Sequence, residues 1–211
     1  MEPLAELKKL IDFMQTVYTK ITKEWFQVST RQVNLKKRYV SDIELDGEIY
    51  KAIAEYIQLL NERSANFSLS FDSICASPTS SRVKNLNSVE YKIQRYKSDE
   101  QHELGKVPIN KCFNDLFGAR IILDPPIALT DILAFISSTY ANEYRCMDAS
   151  KLDYKAVHLY LRAKQDNRAF PWELQIWNLC DAEKNLISHN EYKQGYTSWE
   201  KESKKGGIIS G

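Results

Sequence analysis

The stretch SRVKNLNSVEYKIQRYK gathers cations and a hydroxyl at spacings that suit anion binding. Strand spacing puts Arg82 and Lys84 on one side, and helix spacing puts Ser88 and Lys92 on one side, a turn apart. A helix starting near Ser88 would add its N-terminal amides and dipole, which favour negative charge. Such a set fits phosphate oxygens. Glycine is scarce, with 7 in all, and no GxxxxGK loop occurs. Phosphates would therefore be met by side chains rather than by a backbone nest. The plain alternative is a solvated basic helix face.

Two acids could join this chemistry. Asp115 stands just before the apolar run GARIIL, and Arg120 sits inside that run, where a charge is costly unless paired or used. In WELQIW, Trp172, Leu174 and Ile176 share one face of a strand, and Glu173, Gln175 and Trp177 share the other. In AVHLYLRA, Val157, Leu159 and Leu161 point one way, and His158, Tyr160 and Arg162 the other. Tyr154 lies on the loop before it. Asp115 and Glu173, from separate strands, could hold a magnesium ion against phosphate oxygens. A lone histidine such as His158 is more commonly a hydrogen-bonded structural group. A second basic cluster, Lys36, Lys37 and Arg38, falls between two helices, where a solvated turn is an equal reading.

The elements that must position these residues are legible in outline. Leu4, Leu7, Ile11, Met14, Tyr18, Ile21 and Trp25 form one stripe of a helix, which predicts packing on the body of the domain rather than a coiled coil. A second helix follows Asp46-Gly47, and the serine-rich stretch 64–81 reads as a loop. Strands and helices then alternate: a short strand with Arg82 and Lys84, a helix from Ser88 to Lys97, the GARIIL strand stopped by Pro125-Pro126, and a helix with Leu129, Ile132, Leu133 and Ile136. The two alternating strands and a last helix from Leu179 to Tyr192 complete the pattern. The expected fold is α+β: a mixed sheet of about five strands flanked by helices, with an N-terminal helical extension. The expected division is 1–66 helical, 80–200 the main domain and 201–211 a flexible tail.

Composition limits the classes. With 211 residues, 43% hydrophobic and 27% charged, the chain is an ordinary globular one, and its net charge of +1 advertises no nucleic acid globally. Cys75, Cys112, Cys146 and Cys180 are far apart, with neither zinc nor disulfide spacing. A charged N-terminus without an apolar run, and no stretch of ~20 apolar residues, point to a cytoplasmic protein without a membrane partner.

Taken in order, these motifs resemble the synthetase domain of the RelA/SpoT family. The pattern Arg-x-Lys-x-x-x-Ser-x-x-x-Lys is met at Arg82, Lys84, Ser88 and Lys92. Asp-x-x-Gly-x-Arg-Ile-Ile is met at Asp115, Gly118, Arg120, Ile121 and Ile122; Tyr-x-x-x-His at Tyr154 and His158; and Glu-x-Gln-Ile at Glu173, Gln175 and Ile176. His189 falls where the family has a histidine in the following helix. The resemblance covers roughly residue 80 onward and implies a nucleotidyltransferase-like synthetase fold of the small stand-alone class.

The resemblance also implies roles. Arg82 and Arg120 would sandwich the adenine of ATP, and Lys84, Ser88 and Lys92 would hold its phosphates. Asp115 and Glu173 would bind Mg2+, and Glu173 would orient or deprotonate the attacking hydroxyl; Glu173, Asp115 and Lys92 form the catalytic set. Tyr154, His158 and Gln175 would receive the acceptor. The departures shift the expected acceptor. Leu152-Asp153 stands where the family has Asn-Gly, Trp177 where an Arg often follows the strand, and Ser188 where an acid precedes the late histidine. The chain thus resembles the toxic small alarmone synthetases of toxin–antitoxin systems, some of which pyrophosphorylate the 3′ end of tRNA. That reading leaves room for an antitoxin protein as partner, and Lys36, Lys37 and Arg38 would suit the RNA backbone. The same chemistry with GDP or GTP as acceptor is the alternative. A non-catalytic RNA-binding module has no use for two magnesium acids.

Overall fold

The computed structural model describes residues 2–141, 143–164 and 166–188, side chains 65–69 and 72 excepted. His189, the expected helix end at Tyr192 and the tail 201–211 lie outside the described residues. The order is α1 (Pro3–Val28), α2 (Glu48–Ile74), β1 (Thr79–Val83), α3 (Leu86–Ser98), α4 (Ile109–Cys112), β2 (Phe117–Leu123), α5 (Leu129–Tyr140), β3 (Arg145–Asp148), β4 (Val157–Leu161) and β5 (Trp172–Asn178). Residues 182–188 form α6. The five strands make one mixed sheet in the order β1-β2-β5-β4-β3, with β2 and β5 parallel and the other pairs antiparallel. The α+β fold is the expected one.

The stripe of α1 is buried from Leu7 to Trp25. Its aromatic residues fasten the helices to the sheet. Tyr18 meets Trp172 edge-on at 5.3 Å between ring centres, and Trp25 meets Tyr56 of α2 at 5.2 Å. Trp172 Nε1 donates to Tyr56 Oη at 2.8 Å, and the Ala163 amide donates to Tyr18 Oη at 2.9 Å. Each large apolar side chain so buried contributes on the order of 1.5–3 kcal/mol. α5 lies beside α1, with Tyr140 Oη donating to Asp12 Oδ1 at 2.9 Å. Helices and sheet share one continuous apolar core.

Three local readings change. The stretch 64–81 is not a loop throughout: α2 continues to Ile74. Phe71, Ile74 and Cys75 keep helical spacing toward the core beneath the serines, and Phe71 meets Phe13 at 5.6 Å. Serine hydroxyls there bond back into the helix, as Ser73 does to the Ser70 carbonyl at 2.8 Å. β5 is buried on both faces, because it is the central strand and its polar side carries a hydrogen-bonded network. β3 is an added strand; its four residues are too short to show alternation.

Candidate functional site

Sheet register decides which residues meet. One row across the sheet runs Arg145–Tyr160–Glu173–Gly118–Arg82, and the next runs Met147–His158–Gln175–Arg120–Ser80. Directly paired residues share a face, so both rows lie on the side opposite the helical core. Glu173 stands at the centre, with Arg82 toward one edge and Arg145 toward the other. Gly118 leaves a gap between Glu173 and Arg82: a Cβ built on it would meet nothing within 4 Å. Its backbone is not in the left-handed region, so the fold does not require glycine there.

On the Arg82 side, Lys84 follows β1 and Lys92 projects from α3. Both ammonium groups reach Asp115: Lys84 on Oδ2, and Lys92 on Oδ1 at 3.3 Å. All three side chains are largely buried. Burial pushes the Asp115 carboxyl up, but Lys92 and Lys84 more than offset it and hold it well below the usual range. Burial pulls Lys84 down against the attraction of Asp115. The start of α3 differs from expectation. The helix begins at Leu86, and the Asn85 side chain caps it by accepting from the Ser88 amide at 2.8 Å. That amide is therefore already satisfied, and Ser88 offers an anion its hydroxyl rather than its backbone.

Arg120 emerges on the site face of β2, with its guanidinium carbon 3.5 Å from the centre of the Trp177 ring. Its NH2 group donates to Gln175 Oε1 at 3.1 Å. Trp177 covers one face of this planar cation, so a further flat ring can use only the other. Trp177 Nε1 also donates to Tyr154 Oη at 3.3 Å. The residue that appeared as a departure in the sequence thus bridges Arg120 and Tyr154.

Beyond Trp177, a hydrogen-bonded chain reaches the central acid. Tyr154 Oη lies 2.7 Å from His158 Nε2, and His158 Nδ1 lies 3.0 Å from Glu173 Oε1. Burial pushes the Tyr154 phenol up to about 12, and the hydrogen-bond network is satisfied with the phenol donating to Nε2. That assigns the hydrogen of His158 to Nδ1, which donates to Glu173. Tyr160 Oη donates to Glu173 Oε1 at 3.2 Å, and Gln175 Nε2 donates to Oε2 at 2.8 Å. Burial pushes Glu173 up, but the His158 hydrogen bond overcomes it and holds the carboxylate below its usual range. Tyr154 is half-buried and edge-on to both His158 and Trp177.

Asp115 and Glu173 are two hard oxygen donors, and among the described residues no group of three or more His, Cys, Asp or Glu gathers around a metal position. Two carboxylates with the remaining positions left to phosphate oxygens and water is a donor set that fits Mg2+. Both Asp115 oxygens are engaged by lysines, so a cation could enter only as Lys84 and Lys92 turn to another anion.

Lys36, Lys37 and Arg38 are exposed on a turn whose backbone is firmly held. Asn34 Oδ1 accepts from the Lys36 and Lys37 amides at 3.2 and 3.1 Å. The Asn110 amide donates to the Leu35 carbonyl, and the Ile109 amide to the Arg38 carbonyl, both at 3.0 Å. The turn is thus tied to α4, three residues ahead of Asp115.

Sequence reasoning missed Tyr160 as the neighbour of Glu173, Arg145 one strand further along the same row, and also Asn185. Asn185 is fully buried, and its side chain clamps both backbone groups of Lys155 at 2.8 Å. Only register could place Arg145; a buried asparagine inside a helical stripe was a readable signal for Asn185.

No known protein family matches the sequence, and no curated protein matches it. Among solved structures, the chain is similar to the small alarmone synthetase 1 from Bacillus subtilis, with 19% identity over 68% of this chain and 77% of that chain, at a TM-score of 0.37. The small alarmone synthetase 1 from Bacillus subtilis bound to its product pppGpp matches at 18% identity over 76% and 94% of the two chains, with a TM-score of 0.37. A GTP pyrophosphokinase family protein from Streptococcus pneumoniae matches at 16% over 71% and 78%, with a TM-score of 0.39. Overlaps this loose carry no conclusion about the chemistry of the site.

Proposed function

We propose that the protein is an ATP-dependent pyrophosphokinase that transfers the β,γ-pyrophosphate of ATP to a ribose hydroxyl at the 3′ end of tRNA, acting as a translation-inhibiting toxin. The observation that carries the reading is the position of Glu173. It is the centre of a row flanked by cations, with a lysine-bound second acid on one side and a phenol–imidazole chain on the other.

Each residue has work in such a transfer. Arg82 and the free face of Arg120 hold the adenine. Lys84, Lys92 and the Ser88 hydroxyl hold the phosphates, the two lysines exchanging Asp115 for the arriving anion. Magnesium, when bound by Asp115 and Glu173, would neutralise phosphate charge. Glu173 takes the proton of the ribose hydroxyl as its oxygen bonds to the β-phosphorus. The bond from that phosphorus to the α-phosphate oxygen breaks, and AMP leaves. Tyr154 and His158 orient the acceptor, and Gln175 fixes Glu173 Oε2. Most of the acceleration comes from positioning and charge neutralisation.

The RNA acceptor is supported by the basic turn tied to the shoulder of Asp115 and by a loop that carries Leu152-Asp153. ATP labelled at its γ-phosphate, offered with GDP, GTP and deacylated tRNA in turn, tests the reading. Label in tRNA is expected. Label in GDP or GTP instead would make the protein an alarmone synthetase, and no transfer at all would overturn the enzyme reading. No helix of the described residues is long and apolar enough to cross a membrane.

A further inference from the structure

The loop that carries Tyr154 exposes an apolar tip on a stiff base. Leu152 is 94% exposed and has a φ of +54°, a conformation a leucine adopts only under constraint. The constraint is visible. Lys151 and Tyr154 exchange two backbone hydrogen bonds of 2.9 and 3.0 Å, and the Ala149 amide donates to the Ala156 carbonyl at 2.9 Å. Asp148 Oδ1 accepts from the Ser150 amide at 2.8 Å, and Asn185 clamps Lys155 from α6. The fold holds Leu152 out in water, although nothing in the fold is gained by its exposure.

Beside this tip lies a shallow, open groove of about 490 Å³. Ile127, Leu129 and Leu152 give it apolar surface, Lys151 and Lys155 give it positive charge, and Asp181 stands on its rim. It is at the carboxyl ends of the parallel strands β2 and β5, whereas Glu173 is at the other end of β5. Five residue steps along β5 separate Glu173 from Asn178, which also lines the groove, a span of roughly 15 Å. One nucleotide with its ribose at Glu173 and its base at Tyr154 cannot also fill this groove; the next nucleotide of a polymer can.

We propose that the groove holds the nucleotide that precedes the reactive 3′-terminal one, so that the enzyme reads its acceptor as a polynucleotide. The inference rests on the RNA-acceptor reading above. The base lies on Leu152, Ile127 and Leu129, and the connecting phosphate lies between Lys151 and Lys155. The Asp181 carboxylate accepts from an amino group or ribose hydroxyl and turns away a second phosphate.

The test compares transfer from ATP to adenosine, to the dinucleotide CpA and to deacylated tRNA. The parent is set beside Leu152→Asp and a Lys151→Glu/Lys155→Glu double variant. These side chains are exposed, so ATP affinity and melting temperature serve as controls for folding. The parent should gain at least about tenfold in kcat/KM from adenosine to CpA, and both variants should lose that gain. If RNA is modified but the variants keep the gain, or if the parent treats adenosine and CpA alike, the groove proposal fails and the acceptor reading stands. If the parent labels only GDP or GTP, the acceptor reading fails and takes the groove with it.

Discussion

Three residues of the site can be tested one at a time. Glu173→Gln keeps size but loses the charge that takes the proton, so transfer should fall by about 10²–10⁴ while ATP affinity is retained; near-parental turnover would remove Glu173 from its role. Asp115→Asn acts on stability first, because it removes the acid that pairs the buried Lys84 and Lys92 charges. The expected cost is about 3–5 kcal/mol by urea denaturation, partly recovered when Lys84→Met is added. The same pairing sets an acid dependence. The native carboxyl titrates below its unfolded value of about 3.9, so the stability it provides is complete above that pH and is lost as the pH falls through the lower native value. The double variant should lack this part of the acid transition. Gly118→Ala makes the opposite separation. A Cβ meets nothing in the fold, so stability should hold or rise by about 0.5–1 kcal/mol. ATP affinity should nevertheless fall, because the added methyl enters the gap between Arg82 and Glu173. Unchanged affinity would show that the gap admits no substrate.

At the scale of elements, the acceptor side depends on α6 as well as on its own loop. Asn185 fixes Lys155, the residue after Tyr154, through both of its backbone groups. Asn185→Ala removes two buried hydrogen bonds and should cost about 1–3 kcal/mol. If Asn185 positions Tyr154, the KM for the acceptor should rise while the KM for ATP stays put; equal changes in both would mark the contact as merely structural. The donor side is built differently. β1, the Asn85 cap and α3 follow one another directly, so Arg82, Lys84, Ser88 and Lys92 come from one continuous segment.

At the scale of the whole molecule, the N-terminal helices and the sheet share a core, and the turn between α1 and α2 is bonded to α4 beside Asp115. The basic turn is therefore fastened to the segment that leads into Asp115, although it lies far from it in sequence. Reversing Lys36, Lys37 and Arg38 to Glu should impair modification of tRNA far more than ATP binding. It should also flatten the salt dependence of RNA binding by nearly one unit of slope per lost phosphate contact. A variant that modifies tRNA as the parent does would make the turn a solvated one.

The sequence by itself determined the α+β class, the helical stripe of α1, the two alternating strands and the residue types of the donor side. These are readable because side-chain periodicity and local spacing are properties of a single segment. It misread the reach of α2, where serines mask a helical stripe, and it passed over β3, whose four residues show no period. Only the tertiary structure decided that Glu173 sits between Arg82 and Arg145, that Trp177 joins Arg120 to Tyr154, and that the basic turn is bonded to α4. Each of these relations is set by strand register or by backbone hydrogen bonds between distant segments. A register shift of one residue would turn every one of those side chains to the other face, and nothing local to a strand specifies which neighbour it will have.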